Sequence, residues 1–187
     1  MVGAAATGLR KRGMRLVDCS ESRHAGAILA ILNHAIESST AIYDYVPRPA
    51  ESMPPWFAMR RDAGIPVIGV ENDEGELLGF ATWGPFRPFA AFKYSVEHSL
   101  YVHHQHRGTG LGSILLGELI TRAQAHEVHS LVGAIDAQNR GSIRLHEKHG
   151  FKHAGTIREA GFKFGRWLDL AYYQRLLDTP ARPTEDV

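Results

Sequence analysis

The sequence predicts an α/β domain, a mixed central β-sheet flanked by helices. Three observations predict it. Two strand-like runs, 67–70 and 77–83, flank the turn Asn72-Asp73-Glu74-Gly75 and read as an antiparallel hairpin. Past mid-chain, strand and helix patterns alternate, as a βαβ unit requires. Where an alternating strand at 94–102 gives way to a helix at 109–125, three glycines fall close together, Gly108, Gly110 and Gly112.

A chain of 187 residues, 44% of them apolar, suffices for one domain with a substantial core. Residues 1–13 read as a flexible leader, 14–178 as the domain, and 179–187 as a polar tail that frays. The leader carries Arg10-Lys11-Arg12, but no apolar stretch follows, so it is not a secretory signal. Residues 15–18 make a first strand. In 24–38, Ile28, Ile31, Leu32 and Ala35 recur at helical spacing and mark one apolar face. Pro47, Pro49, Pro54 and Pro55 break the next stretch into loop and short helix, with a further short helix over 56–63. After the hairpin, 84–92 is a long loop that carries Arg87. The helix over 109–125 sets Leu111, Ile114, Leu115, Leu119 and Ala123 on one face. Then come a strand at 131–136, a helix at 140–148 and a strand at 151–157. A last strand, 167–174, closes the sheet.

Composition excludes several function classes. A formal charge of +1 gives no reason to expect nucleic acid or an anionic membrane as partner. No apolar run approaches the ~20 residues of a membrane span. The single cysteine, Cys19, cannot form an internal disulfide, which fits a reducing cytoplasm. His98, His103, His104 and His106 lack carboxylate or thiolate companions at ligand spacing, so no metal is expected.

The glycines at the helix start carry the chemistry. They let the backbone approach a ligand closely. The first N–H groups of the helix have no internal partner, and the helix dipole favours phosphate there. This predicts a site for a pyrophosphate-bearing cofactor. A dinucleotide fold needs Gly-x-Gly-x-x-Gly early in the chain, and a P-loop needs Gly-Lys-Ser/Thr; neither is present. What remains, Gln105-x-x-Gly108-x-Gly110 after a strand, resembles the pyrophosphate loop of the GNAT superfamily of N-acetyltransferases. A second family signature follows in order, Asn139, Ser142 and Leu145-His146-Glu147-Lys148-His149-Gly150-Phe151. The resemblance covers about residues 15–175. It implies acetyl-coenzyme A as co-substrate, lying along Leu100, Tyr101 and Val102. Gly108, Thr109, Gly110, Leu111, Gly112 and Ser113 would wrap its pyrophosphate, and Asn139 and Lys148 would contact it from the other side.

A narrower likeness is to the phosphinothricin and methionine sulfoximine acetyltransferases. It rests on Tyr94-Ser95-Val96-Glu97-His98-Ser99-Leu100-Tyr101-Val102, on Ser142-Ile143-Arg144-Leu145-His146-Glu147, and on Gly161-Phe162-Lys163-Phe164-Gly165-Arg166-Trp167-Leu168-Asp169. Asn33 with Ser39-Thr40-Ala41 is similar too, although His34 stands where those enzymes have Glu. The likeness implies an acceptor of the phosphinothricin, methionine sulfoximine or methionine sulfone type, a role in herbicide or antibiotic resistance, and a cytoplasmic homodimer. Trp167, Tyr172 and Tyr173 are the interface candidates.

Acetyl transfer to an amine needs a base, because only the neutral lone pair attacks. Glu97 is the candidate, on the strand face opposite Val96, His98 and Leu100. His98 and His146 are rival bases, since imidazole titrates near neutrality. His146 stands where many relatives carry a Tyr that protonates the departing thiolate. Arg87 suits an amino acid's carboxylate, which a guanidinium grips with two parallel hydrogen bonds. Phe86, Tyr94, Glu97 and His98 join Arg87 as acceptor-binding candidates. Tyr43, Trp83, Phe89 and Phe92 are further candidates for the pocket wall. Two other functions fit less closely: acetylation of a protein N-terminus, lysine or other amine, and a non-catalytic acyl-coenzyme A sensor, which would have no use for Glu97.

Overall fold

The computed structural model describes residues 13–186, so the expected leader lies, except for Gly13, outside the described residues. Seven strands, β1 (Met14–Asp18), β2 (Ile68–Asn72), β3 (Leu77–Pro85), β4 (Ser95–Val102), β5 (Ser130–Asp136), β6 (Lys152–Lys163) and β7 (Arg166–Leu176), form one sheet. Their order is β1-β2-β3-β4-β5-β7-β6, and only β4 and β5 run parallel. The helices are α1 (Glu21–Ser38), α2 (Met53–Asp62), α3 (Leu111–Ala125) and α4 (Arg140–Lys148).

Each helix buries the face that its spacing marks. Ile28, Ile31, Leu32 and Ala35 of α1 and Phe57 of α2 pack with Leu77 and Phe80 on one side of the sheet. Leu111, Leu115, Leu116 and Leu119 of α3 and Ile143 of α4 pack with Ile68, Val70, Leu131 and Ile135 on the other. Each such side chain, fully buried, contributes about 2 kcal/mol. Pro54 and Pro55 do not break α2. They occupy its first turn, where the missing N–H groups are no loss. On the α1 side the carboxylate of Glu71 is completely buried. It accepts hydrogen bonds from Arg15 at 2.6 Å and Arg23 at 3.1 Å, and meets His24 Nε2 at 2.8 Å.

Three expectations need correction. The strand expected to end at 157 runs on to Lys163, because a bulge between Ile157 and Gly161 absorbs the break in alternation. There Glu159 takes a left-handed φ of 51°, and its N–H donates to the Asp169 carboxylate at 2.8 Å. The last strand does not close the sheet; β7 inserts between β5 and β6, and β6 is the edge. The tail, as far as Asp186, is tied down. Thr184 N–H donates to the Tyr94 hydroxyl at 3.1 Å, and the Thr179 hydroxyl donates to the Val128 carbonyl at 2.5 Å.

One irregularity positions the site. β4 and β5 pair only at Ser95–Ser130, Val96–Leu131 and Glu97–Val132, and then diverge. Their outer edges stay paired, β4 with β3 as far as Val102 and β5 with β7 as far as Asp136. The strands therefore open a wedge in the middle of the sheet.

Candidate active site

The wedge begins just after Glu97. From His98 to Val102 no strand pairs with that edge of β4. Beyond β4 a short 3-10 turn, His104–His106, leads into the glycine loop. Gly108 and Gly110 both take left-handed conformations, with φ of 79° and 91°, and Gly110 caps α3. A side chain at either position would have open space, so it is the backbone turn that demands glycine here. Gly112 sits where α3 meets α4: a Cβ there would lie 3.0 Å from the Leu145 side chain, which would have to give way by a few tenths of an ångström. Two polar side chains of this segment are already engaged: Thr109 donates to the His106 carbonyl at 2.7 Å, and the Ser113 hydroxyl lies 2.7 Å from His149 Nε2.

Across the wedge, Asn139 caps α4. Its side-chain oxygen accepts the Ser142 N–H at 3.1 Å, which leaves its amide NH2 free to face outward. Lys148 is exposed at the other end of α4. At 1.5 Å per residue the two are about 13 Å apart along the helix, so they address different parts of any ligand.

Alternation splits β4 between the two faces of the sheet. Glu97 and Tyr101 look toward α1 and α2, where Tyr101 packs on Phe80 at 5.6 Å. Glu97 is half-buried. Burial raises its carboxyl above the ordinary range, and the Arg87 guanidinium pulls it part of the way back. Arg87 is exposed. Its guanidinium lies 4.5 Å above the Phe86 ring and donates to the Phe86 carbonyl at 2.9 Å. Arg87 thus lies on Phe86, with Phe92 edge-on to Phe86 at 5.8 Å, and its charge is felt at Glu97.

His98 does not join them. It points to the α4 side, is 7% exposed, and its Nε2 lies 2.9 Å from Nε2 of His146. Burial, followed by His146, pushes its pKa down to about 3. His146 is 4% exposed, and burial lowers its pKa too. Its Nδ1 is 2.7 Å from the Ser142 carbonyl, a contact that requires Nδ1–H as donor. These partners assign the tautomers: His146 accepts at Nε2, and His98 donates. Both nitrogens of His146 are therefore occupied inside the protein, and no free N–H faces a departing thiolate. Gly133 makes room for the pair, since a Cβ there would meet His98 at 2.9 Å and His146 at 3.2 Å. Tyr94 lies at the closed end of the wedge under the tail. Trp83, 4% exposed, belongs to the core.

A further polar group is invisible to sequence spacing. Asp136 ends β5 and is 4% exposed. Its carboxylate accepts from Thr40 at 2.5 Å, Arg166 at 3.1 Å and the Gln138 N–H at 2.9 Å. Burial raises its pKa, but these bonds outweigh burial and hold it below the usual range. Lys163 is buried beside the end of α1 and donates to the carbonyls of Ile36, Ser39 and Ile42 at 2.6, 3.0 and 2.7 Å. Tyr43 lies over Gly161, where a Cβ would meet its ring at 3.0 Å. Among the described residues no three His, Cys, Asp or Glu side chains converge as a metal site, and no helix is long and apolar enough to cross a membrane.

Known proteins share this fold and much of this sequence. The model of the acetyltransferase (GNAT) family matches residues 29–151. The L-methionine sulfoximine/L-methionine sulfone acetyltransferase of Pseudomonas aeruginosa is 44% identical over 151 residues, covering 81% of this chain and 88% of the relative. The structure of a candidate acetyltransferase from Acinetobacter baylyi superposes with a TM-score of 0.91 at 56% identity, over 98% of this chain and 100% of that one. A phosphinothricin acetyltransferase from Sinorhizobium meliloti, solved in complex with acetyl-coenzyme A, gives a TM-score of 0.87 at 32% identity, over 94% and 95% of the two chains.

Proposed function

The chain belongs to the acetyltransferase (GNAT) family, and we propose from there that it transfers acetyl from acetyl-coenzyme A to the α-amine of a small amino-acid analogue. The acceptor is of the kind named in its relatives, methionine sulfoximine, methionine sulfone or phosphinothricin. The observation that carries this reading is Glu97, a half-buried carboxylate on the α1 face of β4 where the edge of that strand opens, with the Arg87 guanidinium near enough to lower its pKa.

In this reading Leu100 and Val102 offer the unpaired edge of β4 to the pantetheine arm, with Tyr101 between them. The backbone from Gly108 to Ser113 wraps the pyrophosphate. The free amide of Asn139 meets the arm from across the wedge, and Lys148 meets a more distant part of the cofactor. Arg87, with Phe86 beneath it, holds the acceptor's carboxylate and so brings its ammonium to Glu97. Glu97 takes one proton. The freed amine attacks the thioester carbonyl, the carbon–sulfur bond breaks, and the departing thiolate takes the second proton that the acylated nitrogen sheds. Cys19 takes no part as nucleophile. It is half-buried, and burial and the neighbouring Glu71 push its thiol up to about 12.

The protein works as a cytoplasmic homodimer in this reading, and would confer resistance to such analogues. Phe162, Phe164 and Trp167 leave an apolar surface at the β6–β7 turn for a second copy, whereas Tyr173 is buried and cannot serve. The test is thiol release from acetyl-coenzyme A with a panel of amines. Methionine sulfone and methionine sulfoximine should be taken, and their decarboxylated amines should be poor. Glu97→Gln should still bind acetyl-coenzyme A and lose transfer by at least a hundredfold, the usual worth of a positioned base being ~10²–10⁴. Equal rates with the decarboxylated amines would transfer the reading to a protein or other amine acceptor. Binding without release for any amine would leave a sensor.

A further inference from the structure

We propose that Tyr43 and Arg166 read the far end of the acceptor, donating hydrogen bonds to an oxygen at the tip of its side chain. This rests on the amino-acid acceptor proposed above and assigns its second pole.

The register places Arg166 on the same face of the sheet as Glu97, further along from the closed end of the wedge. Glu97 pairs with Val132, and Asp136 lies four residues further along β5, so both carboxylates share one face of the sheet. Asp136 in turn pairs with Leu170, and Arg166 lies four residues from it on the same face of β7. The segment after α1, with Thr40 and Tyr43, covers that face; Thr40 bonds Asp136, and Tyr43 lies over Gly161 of β6. Glu97, Asp136 and Arg166 therefore line one face of the sheet, and the segment that carries Tyr43 covers that face at its Asp136 end.

Two buried atoms of this group have no hydrogen-bond partner among the described residues, the Tyr43 hydroxyl oxygen and Arg166 Nη1. Buried polar atoms are normally satisfied. Arg166 spends Nη2 on Asp136 at 3.1 Å, and its Nη1 is left without a partner among the described residues. A guanidinium only donates, and a phenol donates readily. The complement of two donors is an oxygen with lone pairs, as in a sulfone, sulfoximine, amide or carboxyl tip. The positive charge of Arg166 is already met by Asp136, so the pair works through directed hydrogen bonds. Lys163 does not compete, because its three contacts go to the carbonyls that end α1. An alkyl tip would leave both donors buried and unsatisfied, and this rejects it more sharply than lost contact area does.

The test compares two acceptors of similar length, L-methionine sulfone and L-norleucine, by thiol release from the full chain. The wild type should prefer the sulfone at least tenfold in kcat/KM. Tyr43→Phe removes a hydroxyl with no partner to lose, so its fold is safe, and the sulfone-to-norleucine ratio should fall roughly three- to tenfold. Arg166→Lys keeps a cation beside Asp136 but lacks the fork, and should lower the ratio further. Melting temperature and acetyl-coenzyme A affinity, followed in parallel, separate this from unfolding. A ratio that stays within twofold of wild type in both variants overturns the inference and leaves the amino-acid reading standing. A wild type that acetylates neither acceptor overturns that reading, and this inference with it.

Discussion

Glu97 and Arg87, proposed as base and carboxylate grip, also act on one another. Burial raises the carboxyl of Glu97, and Arg87 lowers it. A base works only when deprotonated, so kcat/KM should fall as pH drops through the Glu97 pKa, at a higher pH than for an exposed glutamate. Removing the guanidinium removes the opposing influence. Arg87→Ala should therefore move this acid limb to still higher pH, and weaken acceptor binding by roughly tenfold to several hundredfold. A pH–rate profile checks both; a limb that stays in place or moves down would mean the two charges are not coupled. These residues were legible in the sequence because each stands beside a recognisable element, Glu97 on the alternating strand and Arg87 in the loop before it. Asp136, Arg166 and Tyr43 were not legible as a group. Their contact exists only because β7 inserts between β5 and β6, and no spacing along the chain encodes that. His98 shows the converse: the alternation that put Glu97 on one face put His98 on the other, away from the acceptor.

At the level of elements, the glycine loop and α3 form one device. Gly110 holds a φ of 91° with open space where a Cβ would go. A side chain there meets no neighbour but forces a turn that costs about 1–2 kcal/mol for an L-residue. Gly110→Val should raise the KM for acetyl-coenzyme A about tenfold, and the acceptor's KM should hold. An unchanged KM for acetyl-coenzyme A would detach the loop from the cofactor. Helix starts and turns of this kind are the most legible parts of a chain, and α4 falls at 140–148 as expected, with Asn139 as its cap. β6 shows where legibility stops. Its alternation fails through Arg158-Glu159-Ala160, which reads as a strand end, but the Asp169 carboxylate supplies the N–H partner that lets the strand resume.

The whole molecule is a sheet wedged open in its middle and exposed at one end. Phe164 and Trp167 remain 58% and 59% exposed at the β6–β7 turn, and with Phe162 they form an apolar surface. Trp167→Glu should convert a dimer to a monomer with its melting temperature little changed, as light scattering would show; a wild type that is already monomeric would remove the proposed interface. The wedge has a different consequence, for the lifetime of the protein without its co-substrate. The edge of β4 from His98 to Val102 is a strand flank facing no strand. Amides there should trade deuterium with solvent quickly in the empty protein, faster than those of β3, whose flanks are both covered. Adding acetyl-coenzyme A should slow that exchange and raise the melting temperature with the logarithm of its concentration. The cell's supply of acetylated cofactor would then help set how long each copy of the protein survives, as well as how fast it works.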